Sequence, residues 1–326
     1  MVALWMGIIF ICGFVVCNIL YKKTNAFKNE IALEEKYIKG VPENLQFVNM
    51  GSGPSHFDID HTQLSVNSFS FARAPQSFKY DLRLLKRYAS HIEEGAIVIV
   101  VIVCPLGFGF NRQYTQKTYN LRYIHALPLA EIDRINQLDV LIQKYFPLFW
   151  HPKRVFRIIK DIDPQKENQG HDTDDNKIDW ERANRETCKN WIYGAKLKNL
   201  QDGSQADDPR QKKAAEEKIK IMQEMLLFCR EKGFRPVIVI PPFVPETTDS
   251  VSQEFKRRFV DENIKKANII KAPVLDYFVD KRWGHENFRT TVFMNSRGAG
   301  KFTKVLLKDI ENVMEEQNEQ NYTYGR

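Results

Sequence analysis

Residues 96–103 read Ala-Ile-Val-Ile-Val-Val-Ile-Val, a run in which every residue after the alanine is β-branched. A short segment that is apolar on both faces is typical of a central strand in a parallel sheet covered on both sides. A helical apolar pattern begins at Pro75, and we expect Gly95 to end that helix just before the strand. The segment therefore predicts a buried sheet at the centre of the fold.

Further strand patterns lie on both sides of this segment. Those predicted are 45–50 (LQFVNM), a weaker one at 64–69, 235–242 (RPVIVIPP) and a short one at 274–275. Helical patterns alternate with them, at 211–232, 250–267 and about 297–314. Strands that alternate with helices predict an α/β fold, here a three-layer sandwich with a mainly parallel sheet.

The middle of the chain, at about 106–210, does not follow this alternation. It begins with aromatic and basic residues, continues with a helical stretch at about 129–145, and includes an acidic, Asn/Asp-rich loop at 161–187. We predict that it forms a helical insertion or cap. The aromatic residues in 108–150 are interpreted as the small core of that cap, with a substrate groove as the alternative.

The N-terminus carries 19 residues without a charge, Val2 to Leu20. A helix needs about 20 apolar residues to cross the hydrocarbon of a bilayer. We therefore predict a transmembrane helix at 1–21, a linker or stalk at 22–44 and a body at 45–326, with the lipid bilayer as a partner. A cleaved signal peptide is less well supported, because no basic residue precedes the apolar run and no small-x-small site follows it.

Composition and charge exclude several classes of function and site. The chain has 326 residues, 43% of them hydrophobic and 27% charged, with a formal net charge of +7. It shows no basic stripe interleaved with aromatic residues, so a nucleic-acid partner is not expected. The five cysteines include no CxxC pair, which argues against a zinc site and a disulfide framework.

Two motif-like segments fail on inspection. Gly298–Thr303 (GAGKFT) resembles a phosphate-binding loop, but Asn295 and Phe302 stand where that loop needs Gly and Ser/Thr. Asp172, Asp174 and Asn176 have the spacing of a calcium loop, but that loop needs Gly at the position of Lys177. We therefore predict neither a metal nor a cofactor.

The turn GSGPSH at 51–56 directly follows the first predicted strand. Serine on such a turn is exposed at the sheet edge, and it attacks carbonyl carbon if a base is near. Backbone N–H groups of the turn would then stabilise the oxyanion, and Gly51 and Gly53 allow the tight backbone. The alternative is a Gly-Pro turn without chemistry, and spacing alone favours that alternative.

The order of several segments resembles the SGNH (GDSL-like) hydrolase superfamily. The segments are FVNMGSGPSHFDID at 47–60, NSFSFA at 67–72, RPVIVIPPF at 235–243 and a closing block from 276 to 303. The likeness is to a membrane-anchored branch that includes the D-alanine-transfer protein of lipoteichoic acid synthesis and polysaccharide O-acetylation proteins. It covers roughly 45–105 and 211–315, and it implies Ser52 as nucleophile and Gly51, Gly53 and Asn67 as oxyanion or binding residues.

The closing block departs from that family. Its usual Asp-x-x-His-Leu-Asn pattern places the base on Phe293 and the orienting acid on Thr290, and neither side chain does acid–base work. His285 and His56 are the candidates for a displaced base.

Two functions stay open. The first is a serine esterase or O-acyltransferase acting on cell-envelope polysaccharide; the second is an inactive relative that binds glycan or a membrane-bound O-acyltransferase. The resemblance places the body outside the cytoplasmic membrane, whereas Lys22, Lys23 and Lys28 after the apolar helix favour the inside.

Overall fold

The computed structural model describes residues 1–112, 116–160 and 178–324. The chain forms two compact units. Met1–Val41 and Gln116–Lys177 form the first, here called the helical unit. Pro42–Thr115 and Ile178–Arg326 form the second, here called the sheet unit. The helices are numbered α1 to α13 and the strands β1 to β5, in chain order across both units.

The sheet unit is built on five parallel strands in the order β2-β1-β3-β4-β5. Their bounds are β1 Leu45–Met50, β2 Ser68–Ser70, β3 Ile92–Val101, β4 Arg235–Ile240 and β5 Val274–Asp276. The prediction of an α/β fold with a parallel sheet is therefore confirmed. The order reverses direction between β1 and β3, which is where doubly wound sheets open a crevice.

Helices cover the sheet in the same unit. They are α3 Gly53–Phe57, α4 Phe78–Arg87, α8 Trp180–Ala195, α9 Pro209–Glu231, α10 Pro245–Asp249, α11 Gln253–Lys256, α12 Glu262–Ala267 and α13 Ser296–Tyr324. A π-helical turn at Arg257–Asp261 joins α11 to α12. Short 3₁₀ turns lie at His61–Gln63, Ala89–His91, Gly203–Asp207 and His285–Asn287.

The alternation of side chains along the strands divides the core between two faces. On one face, Ile99 of β3 and Val237 of β4 pack in one cluster with Phe302, Leu306 and Ile310 of α13. The opposite face carries α9, which contacts both β4 and α4. Because both faces are buried, the strands are apolar at successive positions, as the run 96–103 requires.

Gly95 has a different role from the one expected. The helix ends at Arg87, β3 begins at Ile92, and Gly95 lies inside the strand with φ +82°. Leu45 of β1 pairs with Ile92 of β3 and Phe47 pairs with Ile97, so an advance of two residues in β1 corresponds to five in β3, and β3 bulges here. Glycine adopts the positive φ that this irregularity requires.

The helical unit contains α1 Val2–Lys23, α2 Asn25–Ile38, α5 Lys117–Asn120, α6 Gln137–Tyr145 and α7 Val155–Lys160. Further 3₁₀ turns lie at Leu121–Tyr123, Leu129–Glu131, Pro147–Phe149 and Pro152–Arg154. The predicted insertion at 106–210 therefore differs from the observed division, since α8 belongs to the sheet unit. Residues 161–177, with the rejected calcium pattern and most of the predicted acidic loop, lie outside the described residues. The end of that predicted loop, 180–187, is helical instead and forms the start of α8.

The helix α1 is long and apolar enough to cross a membrane. Its most apolar 18-residue stretch has a mean hydropathy of 2.4, and only 6% of that stretch is buried. Its last turns pack inside the helical unit, where Asn18 and Tyr21 are both 1% exposed.

Candidate functional site

A cavity of about 460 Å³ opens where β1 and β3 end, at the switch point of the sheet. The turn after β1 contributes Gly51, Ser52 and Gly53 to its wall. Val101 and Gly107 line it from the end of β3 and the segment that follows. This is the position at which open α/β sheets bind their ligands.

Backbone geometry holds Ser52 at this wall. Gly51 has φ +127°, and a Cβ placed on it would lie 3.1 Å from the Cβ of Val101 and 3.2 Å from its carbonyl oxygen. A side chain there would crowd β3, and the positive φ is one that residues other than glycine rarely adopt. Ser52 is then extended and precedes α3, and its Oγ accepts a hydrogen bond of 3.3 Å from the Gln76 N–H.

The buried carboxylate of Asp81, which is 1% exposed, supports the same turn. Its Oδ1 accepts hydrogen bonds from Gly51 N at 2.9 Å and from Gln76 Nε2 at 2.6 Å. Burial raises the pKa of Asp81 to about 7, although the two hydrogen bonds favour the charged form. Sequence reasoning missed this residue; an acidic residue on the apolar side of the predicted helix was the available signal.

The closing block brings Phe293 against the serine turn. The Thr290 hydroxyl accepts a hydrogen bond from Phe293 N at 3.0 Å and so shapes the loop 290–293. A Cβ placed on Gly53 would lie 2.4 Å from the Phe293 ring, so the ring rests directly on Gly53. Phe293 also lines the cavity. An aromatic ring thus lies beside Ser52 at the position for which the resemblance implies a base.

A buried carboxyl group holds the loop 290–293 in place. Asp58, at the end of α3, accepts a hydrogen bond of 2.8 Å from Met294 N. Burial raises its pKa well above the ordinary value, while the Met294 bond and the charge of Arg289 act in the opposite direction. Asp58 therefore fixes where Phe293 lies relative to the serine turn.

The candidate bases lie elsewhere. His285 Nε2 is 2.8 Å from a Glu246 oxygen, and its ring stacks on Trp180 with centroids 4.8 Å apart. His56 packs edge-on against Phe57, with centroids 4.6 Å apart. Over the part of the chain that the structure describes, no histidine lines the cavity.

Asn67 lies at the other end of the sheet. It directly precedes β2, and its side-chain amide donates to the carbonyl oxygen of Glu43 at 2.6 Å. Since all strands are parallel, this places it at their amino ends, opposite the cavity. The structure gives it a role in holding the entry to β1.

One face of α8 lines the cavity. The residues Thr187, Asn190, Trp191 and Gly194 have the three- and four-residue spacing of one helical face. The hydroxyls of Thr187 and Thr291 are 2.8 Å apart and join α8 to the closing block. Sequence reasoning assigned this segment to the insertion, because an isolated helix pattern does not indicate which element it will cover.

Lys218 of α9 also lines the cavity, although it was not predicted. Its ammonium donates hydrogen bonds to the carbonyl oxygens of Gly107, at 3.1 Å, and Gly109. Burial lowers the pKa of Lys218 to about 7, with the charge of Glu217 opposing the change. A neutral amine has two N–H groups for these carbonyls and retains a lone pair that accepts a proton.

In the described residues, no three His, Cys, Asp or Glu side chains lie close enough together to hold a metal ion. In the comparisons with known proteins, no family model and no curated protein matches the chain. The function is therefore inferred from the cavity and its residues.

Asp81→Asn is expected to flatten the pH dependence of stability. Because the pKa of Asp81 is higher in the folded than in the unfolded chain, its contribution is largest below about pH 4 and is lost as the pH rises to about 7. The wild type should lose roughly 2–4 kcal/mol more than the variant over this range. Urea midpoints at both ends of the range measure the difference. Parallel pH profiles for the two proteins would contradict the assignment.

Proposed function

We propose that this chain is a membrane-anchored protein of SGNH-hydrolase-like architecture whose cavity binds an acyl or acetyl ester of cell-envelope polysaccharide. We further propose that it does so without histidine-based hydrolysis. The observation that carries this proposal is the pairing of Ser52 with Phe293 at the switch-point cavity.

The chemistry of the wall supports an uncharged ester as ligand. Phe78, Val101, Trp191 and Phe293 supply apolar surface, which suits an acyl chain or an acetyl methyl group. The Asn190 amide and the Thr187 hydroxyl supply hydrogen-bonding groups of the kind that sugar hydroxyls and ester carbonyls use. A cavity of about 460 Å³ is within the range of small-molecule sites.

The arrangement around Ser52 disfavours hydrolysis. A serine hydroxyl is a weak nucleophile unless an adjacent base accepts its proton. Phe293 has no such group, and His285 is engaged by Glu246. The Gly51 N–H donates to Asp81 and is not available to an oxyanion.

Membrane attachment is part of the proposal. The helix α1 would cross the bilayer, with the sheet unit on the extracytoplasmic side, where envelope polysaccharide and a membrane-bound O-acyltransferase would be its partners. The resemblance supports this side, and the lysines at the end of α1 are the observation against it.

Binding of an O-acetylated oligosaccharide tests the proposal directly. We expect the acetylated form to bind about tenfold more tightly than its de-acetylated counterpart, a difference of about 1.4 kcal/mol. Trp191→Ala should remove that preference, because it removes apolar wall, whereas Tyr193→Ala, an exposed aromatic on the same helix, should keep it. Calorimetric titration provides the constants. Equal affinity for both oligosaccharides would contradict the proposal.

Introducing the acid and the base of the Asp-x-x-His pattern, at Thr290 and Phe293, tests the SGNH-like geometry. The wild type is expected to show no more fluorophosphonate labelling than Ser52→Ala. The double variant Thr290→Asp/Phe293→His should label Ser52 faster by about 10²–10⁴-fold, the usual contribution of a general base. Thr290→Asn/Phe293→Asn, which provides no base, is the matched control. A folded double variant that is not labelled would contradict the proposed arrangement.

A second candidate function rests on Lys218. Lys218 lines the same cavity as Ser52, and burial lowers the pKa of its amine to about 7. In this case the Ser52 oxygen attacks the ester carbonyl carbon, Lys218 takes the hydroxyl proton, and the departing alcohol takes a proton back. An acyl-serine is then left for transfer to another hydroxyl.

The second candidate predicts labelling of wild-type protein that increases with pH through about 7, as Lys218 loses its proton. Lys218→Met should abolish that labelling, and Lys220→Met, an exposed lysine on the same helix, should leave it unchanged. The labelling rate against pH is the measurement. Labelling that survives Lys218→Met would exclude this role.

A further inference from the structure

The helical unit exposes an apolar surface outside the cavity. Leu138, Leu141 and Tyr145 lie on one face of α6 and are 63%, 46% and 52% exposed. Phe149 and Phe156, in the segment that follows α6, are 57% and 63% exposed. These five residues are here called the aromatic surface. Large exposed apolar residues that lie together mark a contact site.

The same segment is strongly basic. Residues 138–157 contain four basic residues, Lys144, Lys153, Arg154 and Arg157. The one acidic residue, Asp139, is buried and forms an ion pair with Lys117. The Lys144 ammonium lies 5.4 Å from the centre of the Tyr145 ring. Basic side chains among exposed aromatic ones match the boundary of a bilayer, where rings enter the acyl region and cations meet phosphates.

Contacts with α1 place this segment near the end of that helix. The rings of Phe14 and Phe146 stack with centroids 6.0 Å apart. The Asn18 side-chain oxygen accepts a hydrogen bond of 3.0 Å from Leu148 N. The Tyr21 hydroxyl accepts one of 3.3 Å from Arg154. The segment therefore lies beside the last turns of α1.

The length of α1 indicates how deep in a bilayer these contacts would lie. At about 1.5 Å per residue, α1 is roughly 33 Å long, against about 30 Å of hydrocarbon. Phe14 lies nine residues before Lys23, roughly 13 Å along the axis. If α1 crosses a bilayer, Phe14 lies within the acyl region and Tyr21 lies near the hydrocarbon–headgroup boundary, so the segment that contacts both extends from the acyl region to that boundary.

We propose that the aromatic surface inserts into this boundary of the bilayer that α1 crosses, while the neighbouring basic residues bind anionic lipid phosphates. This inference rests on the membrane anchoring proposed above. The occupant is lipid because the surface adjoins α1 and its charge is opposite to that of anionic headgroups. A second copy of the chain or another protein is the competing occupant.

Photocrosslinking in the full-length chain tests the proposal. The protein is reconstituted in nanodiscs of phosphatidylcholine and phosphatidylglycerol, with benzoylphenylalanine at Phe149 or Phe156. Tyr193 of the sheet unit, 71% exposed, is the control aromatic position, and Ile9 of α1, 68% exposed, reports on anchoring. Mass spectrometry identifies lipid adducts, and gel mobility identifies protein adducts.

Lipid adducts at Phe149 and Phe156, above the level at Tyr193, are the expected result. Adducts at Ile9 without adducts at Phe149 and Phe156 would overturn this inference and leave the anchoring intact. No adducts at any of the three would overturn both. Protein adducts in place of lipid adducts at the aromatic surface would assign it to a protein partner.

A separate variant tests whether the basic residues contact lipid phosphates. Each basic side chain near an anionic surface contributes about 1 kcal/mol, about a fivefold factor in the docking equilibrium. Lys153→Gln/Arg157→Gln should lower the Phe156 adduct yield in nanodiscs that contain phosphatidylglycerol, but not in pure phosphatidylcholine. Lys189→Gln/Lys220→Gln, two exposed lysines of the sheet unit, is the matched control. An equal loss in both lipids would contradict the phosphate contacts.

Discussion

Parallel pairing of β1 with β3 is the constraint on which the candidate site depends. From this pair the chain continues to β2 on one side and to β4 on the other, so the connections diverge above the carboxyl ends and leave a crevice. Val101 of β3 also lies so close to Gly51 that a side chain at Gly51 would crowd it, and the positive φ of Gly51 favours glycine. The order of strand pairing thus forms the cavity and places the serine turn in its wall.

The interior of the cavity combines desolvated ionisable groups with an aromatic ring. Burial moves the pKa of the Asp81 carboxyl and that of the Lys218 amine to about 7, from opposite directions. In each case the low-polarity surroundings disfavour the charged form. Phe293, held by Thr290 and by the anchoring bond of Asp58, adds apolar surface beside Ser52. This combination is the basis on which we propose an uncharged ester as the ligand.

In the helical unit the constraint is a different one: a polar side chain within the long apolar helix α1 has to be hydrogen-bonded. Asn18 lies within an otherwise apolar segment, where an unpaired amide is costly. Its two polar atoms are paired, with the Phe14 carbonyl and the Leu148 N–H, both inside this unit. The polar residue therefore ties α1 to the segment that carries the aromatic surface, and the two are parts of one structure.

The sequence by itself determined the local elements. The strands at 45–50, 96–103 and 235–242, the apolar helix at the N-terminus and the Gly-Ser turn at 51–53 follow from periodicity, β-branching and glycine placement, which are local properties. Tertiary structure decided what converges on that turn. Asp81, Thr187, Lys218 and Phe293 reach one cavity from four segments, while His285 is drawn to Glu246 and Trp180. Such convergence depends on how distant helices pack on the sheet, and no local pattern specifies that packing.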